Sequence, residues 1–330
     1  MDRAVVSYGN EFKLLDFRVD IFFRDHEFNA CGTLPCQAMD GSEGKCVPVD
    51  DCRWILSKPA LLNDAFENSA CGFGPELVCC PRWQNAENCG QTLSYSEPER
   101  FPWVVSIAYR VKRRIFYQRC TGSLINSQYV LTVAHCIADL SFRWKLYSIR
   151  VKRDEIYKDY GILRSIVHPN YNRYNLNKDD DVALLKLADR VEFDAHVQPI
   201  CLTRQDDLHS ALLEGQMFTI FSRGPPRAGY VPHNKHPIML PLRNSSVCEK
   251  IYRDIRLELS KSQLCVGGEP GKDSCRGDSG GPLMLHSMNR WYQVGLVSLG
   301  SEQCGGRIPG IYVKLVDYLD WIEATVDVVD

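Results

Sequence analysis

The stretch KDSCRGDSGGPL, Lys272–Leu283, sets Ser279 between an acid and a pair of glycines. A serine hydroxyl attacks an acyl carbon only when a base takes its proton, and that base needs a third group to fix its tautomer. Two stretches upstream could supply them. LTVAHC carries an apolar run into His135, with Cys136 beside it to fix the turn, and DDDVALLKL puts Asp181 at the head of a run that reads as a buried strand. Such a set could carry out acyl transfer through a covalent serine intermediate. The charge that forms on the acyl oxygen needs donors, and glycine lets a backbone N–H approach closely. Gly277 and Ser279 itself are the candidate donors, while Gly280 and Gly281 let the chain leave unobstructed. Taken singly, each residue has an ordinary reading: a histidine after a strand is commonly structural, and Asp179–Asp181 reads as a solvated turn. Taken together, the order His, Asp, Ser is one in which serine triads occur.

These residues need elements to bring them together. From Phe101 onward the chain reads as many short strands: WVVSIAYRV and QYVLTVAHC are rich in Val, Ile and Tyr, and Gly, Asn and Pro clusters separate such runs. Helical spacing is scarce until YVKLVDYLDWIEATV near the C-terminus. An all-β region closed by one helix predicts a barrel or sandwich. Residues 82–100 are polar and turn-rich and read as a linker.

The most informative number is the 15 cysteines in 330 residues. Seven of them, Cys31, Cys36, Cys46, Cys52, Cys71, Cys79 and Cys80, crowd into a segment with few long apolar runs. A segment of that kind needs covalent staples, each contributing about 2–4 kcal/mol. The spacing is not that of zinc ligands, since no C-x-x-C pair recurs. Disulfides imply an oxidising compartment, and the expectation is a secreted, extracellular protein. MDRAVVSYGNEFKLLDFRVDIFF carries scattered charges and no apolar run, so it does not read as a secretory leader; the reading is an incomplete or processed N-terminus. A net charge of −2 argues against nucleic acid as a partner, and no run is long and apolar enough for a membrane span.

TVAHC, DVALL and DSCRGDSGGPL, with CTGSLI and PGIYV, resemble the signatures of the chymotrypsin-like serine proteases over Phe101 to the C-terminus. The resemblance implies an all-β, chymotrypsin-like double β-barrel with a C-terminal helix and a catalytic site at the junction. It implies Ser279 as nucleophile, His135 as base and Asp181 as the orienting acid, with Gly277 and Ser279 forming the oxyanion hole. Asp273, six residues before the serine, corresponds to the floor of the primary specificity pocket, and Ser298, Gly300 and Gly310 to its walls. An acid there implies cleavage after Arg or Lys; the plainer alternative is that Asp273 caps a turn. PCQAMDGSEGKCVPVDDC with ACGFGPELVCCP resembles the clip domain of arthropod extracellular protease cascades. The organisation implied is an N-terminal extension (1–30), a clip domain (31–81), a linker (82–100) and a trypsin-like domain (101–330). The resemblance pairs Cys36–Cys79, Cys46–Cys71, Cys52–Cys80, Cys89–Cys201, Cys120–Cys136, Cys248–Cys265 and Cys275–Cys304, which leaves Cys31 over. It further implies melanisation or Toll-type signalling in innate immunity, protein zymogens as substrates and serpin-type inhibitors as partners.

Other marks are softer. Asn244 begins an N-glycosylation acceptor sequence, NSS. YRVKRR, Tyr109–Arg114, is either an exosite for an acidic partner or a solvated loop. No cofactor or metal is expected: the acids of RDEIYKDYG lie roughly where some relatives bind calcium, but read as a solvated turn.

The chain also departs from the family. Relatives are cut after a basic residue to free an Ile-Val-Gly-Gly terminus, whose ammonium pairs with the acid preceding the serine, here Asp278. Between Cys89 and Phe101 the chain reads GQTLSYSEPER, with no such motif; Arg100 is its only basic residue and Phe-Pro follows it. Leu299 stands where tryptophan is common and FSRG (221–224) where Gly-Trp-Gly is usual. Two readings follow: an endopeptidase whose active state is reached in another way, with Arg223 as an internal cation at Asp278, or a clip-domain homologue of little or no turnover that acts as a cascade adaptor. Retention of all three triad residues and the pocket acid favours the enzyme.

Overall fold

The computed structural model describes residues 35–38, 43–49, 52, 55, 71, 77–81, 89–92, 101–203, 212–222, 235–301 and 304–326. Cys31, Arg100 and Arg223 lie outside the described residues. Near the N-terminus β1 (Pro35–Gln37), β2 (Glu43–Pro48) and β3 (Leu77–Pro81) form a small antiparallel sheet. Among the described residues its buried side chains are few, chiefly Cys52, Ile55 and Val78 in one cluster and Cys46, Cys71 and Cys79 in another. Of its three disulfides, Cys36–Cys79 joins β1 to β3, while Cys46–Cys71 and Cys52–Cys80 tie the sheet to its flanks. With so little apolar surface, the cross-links supply what a core cannot.

The remainder is two closed barrels. The first is made of β4 (Val104–Val111), β5 (Arg114–Leu124), β6 (Tyr129–Thr132), β7 (Lys145–Arg153), β8 (Ile156–Val167) and β9 (Ala183–Leu187), closed in the order β4-β5-β6-β9-β8-β7. The second follows β10 (Cys201–Leu202), which adds parallel to β15. It comprises β11 (Met217–Ser222), β12 (His236–Arg243), β13 (Gln263–Gly267), β14 (Pro282–Ser287), β15 (Arg290–Leu299) and β16 (Pro309–Lys314). The order β15-β14-β11-β12-β13-β16 closes through β15–β16 pairing. Closure gives each of the twelve barrel strands a partner on both sides, which removes the edges a flat sheet would present to other chains.

One continuous core joins the barrels. Trp103, Ile107, Leu131 and Leu184 of the first pack in the same cluster as Met284, Leu296 and Val313 of the second. Polar bonds cross the seam as well: Trp103 Nε1–H lies 3.2 Å from Met284 Sδ, and Ser123 Oγ donates to Gln293 Oε1 at 2.6 Å. Among the described residues the helices are few and short, chiefly α1 (His135–Ala138), α2 (Ser245–Tyr252) and α3 (Leu319–Thr325). The helical spacing read from Tyr312 overreaches. Tyr312–Lys314 end strand β16, because β13 and β15 both pair with this segment, and the helical turn starts at Leu315. Asn244 caps α2, accepting the Ser246 N–H at 3.1 Å on an exposed side chain. Among the described residues no helix is long and apolar enough to cross a membrane.

Candidate active site

His135, Asp181 and the Ser279 turn converge at the seam. β6 ends at Thr132 and the chain turns straight into α1, which places His135 at the barrel rim, one-fifth exposed. A disulfide from Cys136 to Cys120 on β5 fixes that turn, and Tyr109, buried on β4, donates its hydroxyl to the Cys136 carbonyl at 3.0 Å. Asp181 stands two residues before β9 and is fully buried. Its neighbour Asp180 takes a left-handed conformation (φ 54°), a geometry aspartate tolerates better than most residues. Tyr318 donates to Asp180 Oδ1 at 3.1 Å and holds that turn from the C-terminal segment.

Asp181 collects three donors. The His135 N–H reaches Oδ1 at 2.8 Å, His135 Nδ1 lies 2.7 Å from Oδ2, and the Ser298 hydroxyl donates to the same Oδ2 at 2.6 Å. Burial by itself would raise the carboxyl's pKa; the His135 charge and these hydrogen bonds outweigh it and hold the group below its usual value. An ionised carboxylate only accepts, so Nδ1 carries the proton and Nε2 is left as the basic nitrogen. Beyond the pocket-wall position that the resemblance implies for it, Ser298 supports the acid through its hydroxyl, a role no motif announces, because Ser298 is simply a buried residue near the end of β15.

Ser279 is tied to this assembly through its backbone. Its carbonyl accepts the Thr121 N–H at 2.8 Å and lies 3.8 Å from Sγ of Cys136, the residue after His135. Gly280 follows with φ +80°, and a Cβ there would sit 2.1 Å from Thr132 Oγ1 and 2.4 Å from the Thr121 carbonyl oxygen, so only glycine fits. Gly277, also left-handed at φ 96°, offers its carbonyl to Thr121 Oγ1–H at 2.7 Å. The Cys275–Cys304 disulfide joins this turn to the loop beyond β15, and Cys248–Cys265 joins α2 to β13.

Asp273 is 5% exposed and accepts the Gly305 N–H at 3.0 Å. Burial raises its pKa; the Gly305 and Ser274 N–H groups oppose that rise and the Asp278 charge adds to it. Tyr312, fully buried, donates to Ser274 Oγ at 3.3 Å beside it. A Cβ on Gly300 would touch nothing within 4 Å, whereas one on Gly310 would press on the Tyr312 ring at 3.0 Å. Two of the three acids in RDEIYKDYG are paired with cations: Asp159 meets Arg150 through both oxygens (2.7 and 2.8 Å) and Glu155 meets Lys152 at 3.3 Å. The run Tyr109–Arg114 forms the β4–β5 hairpin, in which Tyr109 is core and Arg110, Lys112, Arg113 and Arg114 are exposed.

Arg223, the cation expected at Asp278, lies outside the described residues; among those described, Lys235 meets this acid, with Nζ 2.9 Å from Asp278 Oδ1. Lys235 sits in the polar stretch GYVPHNKHP, which carries no periodicity or motif to single it out.

The trypsin family model matches residues 93–322. CLIP domain-containing serine protease B15 of Anopheles gambiae is 34% identical over 88% of this chain and 90% of its own length. Phenoloxidase-activating factor 1 of Holotrichia diomphalia is 30% identical over 95% of this chain and 99% of its own. The solved structure of the Drosophila Grass clip serine protease of the Toll pathway superposes with a TM-score of 0.63 at 28% identity, covering 89% of this chain and 97% of that one. Double barrel, cysteine-rich N-terminal region and relatives agree: the chain belongs to the trypsin family, in its clip-domain branch.

Proposed function

We propose that the chain is a secreted serine endopeptidase that cleaves proteins after Arg or Lys in an extracellular cascade. The observation that carries this is the buried Asp181 carboxylate, 2.7 Å from His135 Nδ1, directed at the rim where the Ser279 turn is anchored. In the reaction, His135 Nε2 takes the Ser279 proton as Oγ bonds to the acyl carbon. The oxyanion is received by the N–H groups of Gly277 and Ser279, and the proton passes to the departing amine. Water then repeats the sequence on the acyl-enzyme. Asp273 would receive the cationic side chain through a charge that burial keeps costly until it is paired.

The cascade setting rests on likeness. Relatives include a phenoloxidase-activating factor of Holotrichia diomphalia and melanization protease 1 of Drosophila melanogaster, 28% identical over 88% of this chain. Protein zymogens as substrates, serpin-type inhibitors, glycosylation at Asn244 and a clip domain over 31–81 belong to the same proposal. A chromogenic peptide ending in Arg tests it: turnover that disappears in Ser279→Ala supports the enzyme. The absence of Ile-Val-Gly-Gly between Cys89 and Phe101 favours a second reading, an adaptor without turnover. That reading gains if neither the intact chain nor a trypsin-treated sample hydrolyses the peptide.

A further inference from the structure

Asp278 separates Gly277 from Ser279, the two residues whose N–H groups the proposed reaction needs, and its side chain is 3% exposed. A carboxylate so buried is stable only with a cation or several donors around it. Here Oδ1 meets Lys235 Nζ at 2.9 Å, while Oδ2 accepts the Cys275 N–H at 2.9 Å and the Ser222 hydroxyl. The same ammonium, 15% exposed, lies 2.6 Å from Thr121 Oγ1, whose own proton goes to the Gly277 carbonyl at 2.7 Å. Thr121 also holds the Ser279 carbonyl through its N–H. One cation from the second barrel and one threonine from the first therefore hold all of 277–279. β11–β12 pairing explains how the lysine gets there: Ser222 is opposite His236, so Lys235 and Ser222 arrive at Asp278 side by side.

Resting on the enzyme reading above, we propose that Lys235 is an internal positioning residue that keeps the Ser279 turn and the Asp273 pocket assembled in the uncut chain, so that no proteolytic activation is needed. The required cation is part of the continuous polypeptide, and the segment between Cys89 and Phe101 lacks the motif that would otherwise release one.

The experiment uses the full chain, shown intact by mass, with p-aminobenzamidine fluorescence as the probe of a cation pocket and the Arg peptide as the probe of turnover. Intact wild type should bind the probe, Lys235→Met about 100-fold more weakly, and Lys235→Arg close to wild type. Near-UV circular dichroism checks folding. If Lys235→Met does not fold, the double variant Lys235→Met/Asp278→Asn, which strands no charge, is read in its place with the same expected loss. No binding by intact wild type, unchanged affinity in the variant read, or tighter binding without the lysine (a latch rather than a support) overturns the inference. Probe binding without hydrolysis removes the enzyme reading and leaves Lys235 its role; hydrolysis indifferent to Lys235→Met does the reverse.

Discussion

Asp273 and Asp181 are both buried carboxylates, yet their environments push them in opposite directions. Asp181 has a histidine and a hydroxyl on its oxygens and is held low; burial pushes Asp273 up, helped by the Asp278 charge and only partly opposed by its backbone N–H donors. The sign follows for Asp273. Because the folded state takes up its proton more readily than the unfolded state, its charge lowers stability above the folded pKa, and the penalty is relieved progressively as pH falls from that value to the unfolded one. Cation affinity moves the other way and weakens as the carboxylate is neutralised. Asp273→Asn should therefore bind p-aminobenzamidine about 100-fold more weakly at pH 7 while melting no lower than wild type. It should also lose the acidic limb of the binding profile. A variant that kept both affinity and pH dependence would show that Asp273 does not face the cation.

At the scale of elements, the strands were legible because their physics is local: β-branched and aromatic runs bounded by Gly, Pro and Asn. β4 and β6 lie inside the quoted runs, and Asp181 precedes the apolar run that becomes β9. What was not legible depends on pairing between distant segments. Ser298 meets Asp181 only after β15 joins its barrel, and Lys235 meets Asp278 only through the β11–β12 register. The C-terminal helix was read too long for the same reason, since strand pairing claims its first residues. Its docking carries a pH dependence. His168, mostly buried, stacks edge-on against Tyr318 and Trp321, with Asp180 Oδ1 3.9 Å from its Nδ1. Burial lowers its pKa below 6.5, partly offset by Asp180. The unfolded chain thus takes up this proton first, and the stability tied to neutral His168 is complete above that value and lost as pH falls through the folded pKa. His168→Phe should flatten the fall in melting temperature between about pH 7 and pH 5. An unchanged slope would place that dependence elsewhere.

For the whole molecule, the question is how the N-terminal region stays attached to the barrels. Cys89 is bonded to Cys201 across a separation of 112 residues, and Gly90 is built into the second barrel's surface: its N–H donates to the Pro199 carbonyl at 2.8 Å and its carbonyl accepts the Trp291 N–H at 2.8 Å. Gly90 has φ +66°, and a Cβ would sit 2.3 Å from the Trp291 carbonyl oxygen, so the strap runs closer than any other residue could. Trp291 in turn packs edge-on against Phe101 at 4.9 Å, joining the start of the first barrel to the same patch. Both ends of segment 93–100 are thereby anchored independently of the peptide bonds between them. A cut within 93–100, such as trypsin would make after Arg100, should leave one band on a non-reducing gel and two after reduction. Closing so long a loop should contribute about 4–5 kcal/mol through restriction of the unfolded chain. Cys89→Ser/Cys201→Ser should accordingly melt several degrees lower and, once cut, release the N-terminal piece without reductant. Release of that piece from cut wild type under non-reducing conditions would mean that the strap does not hold the two parts together.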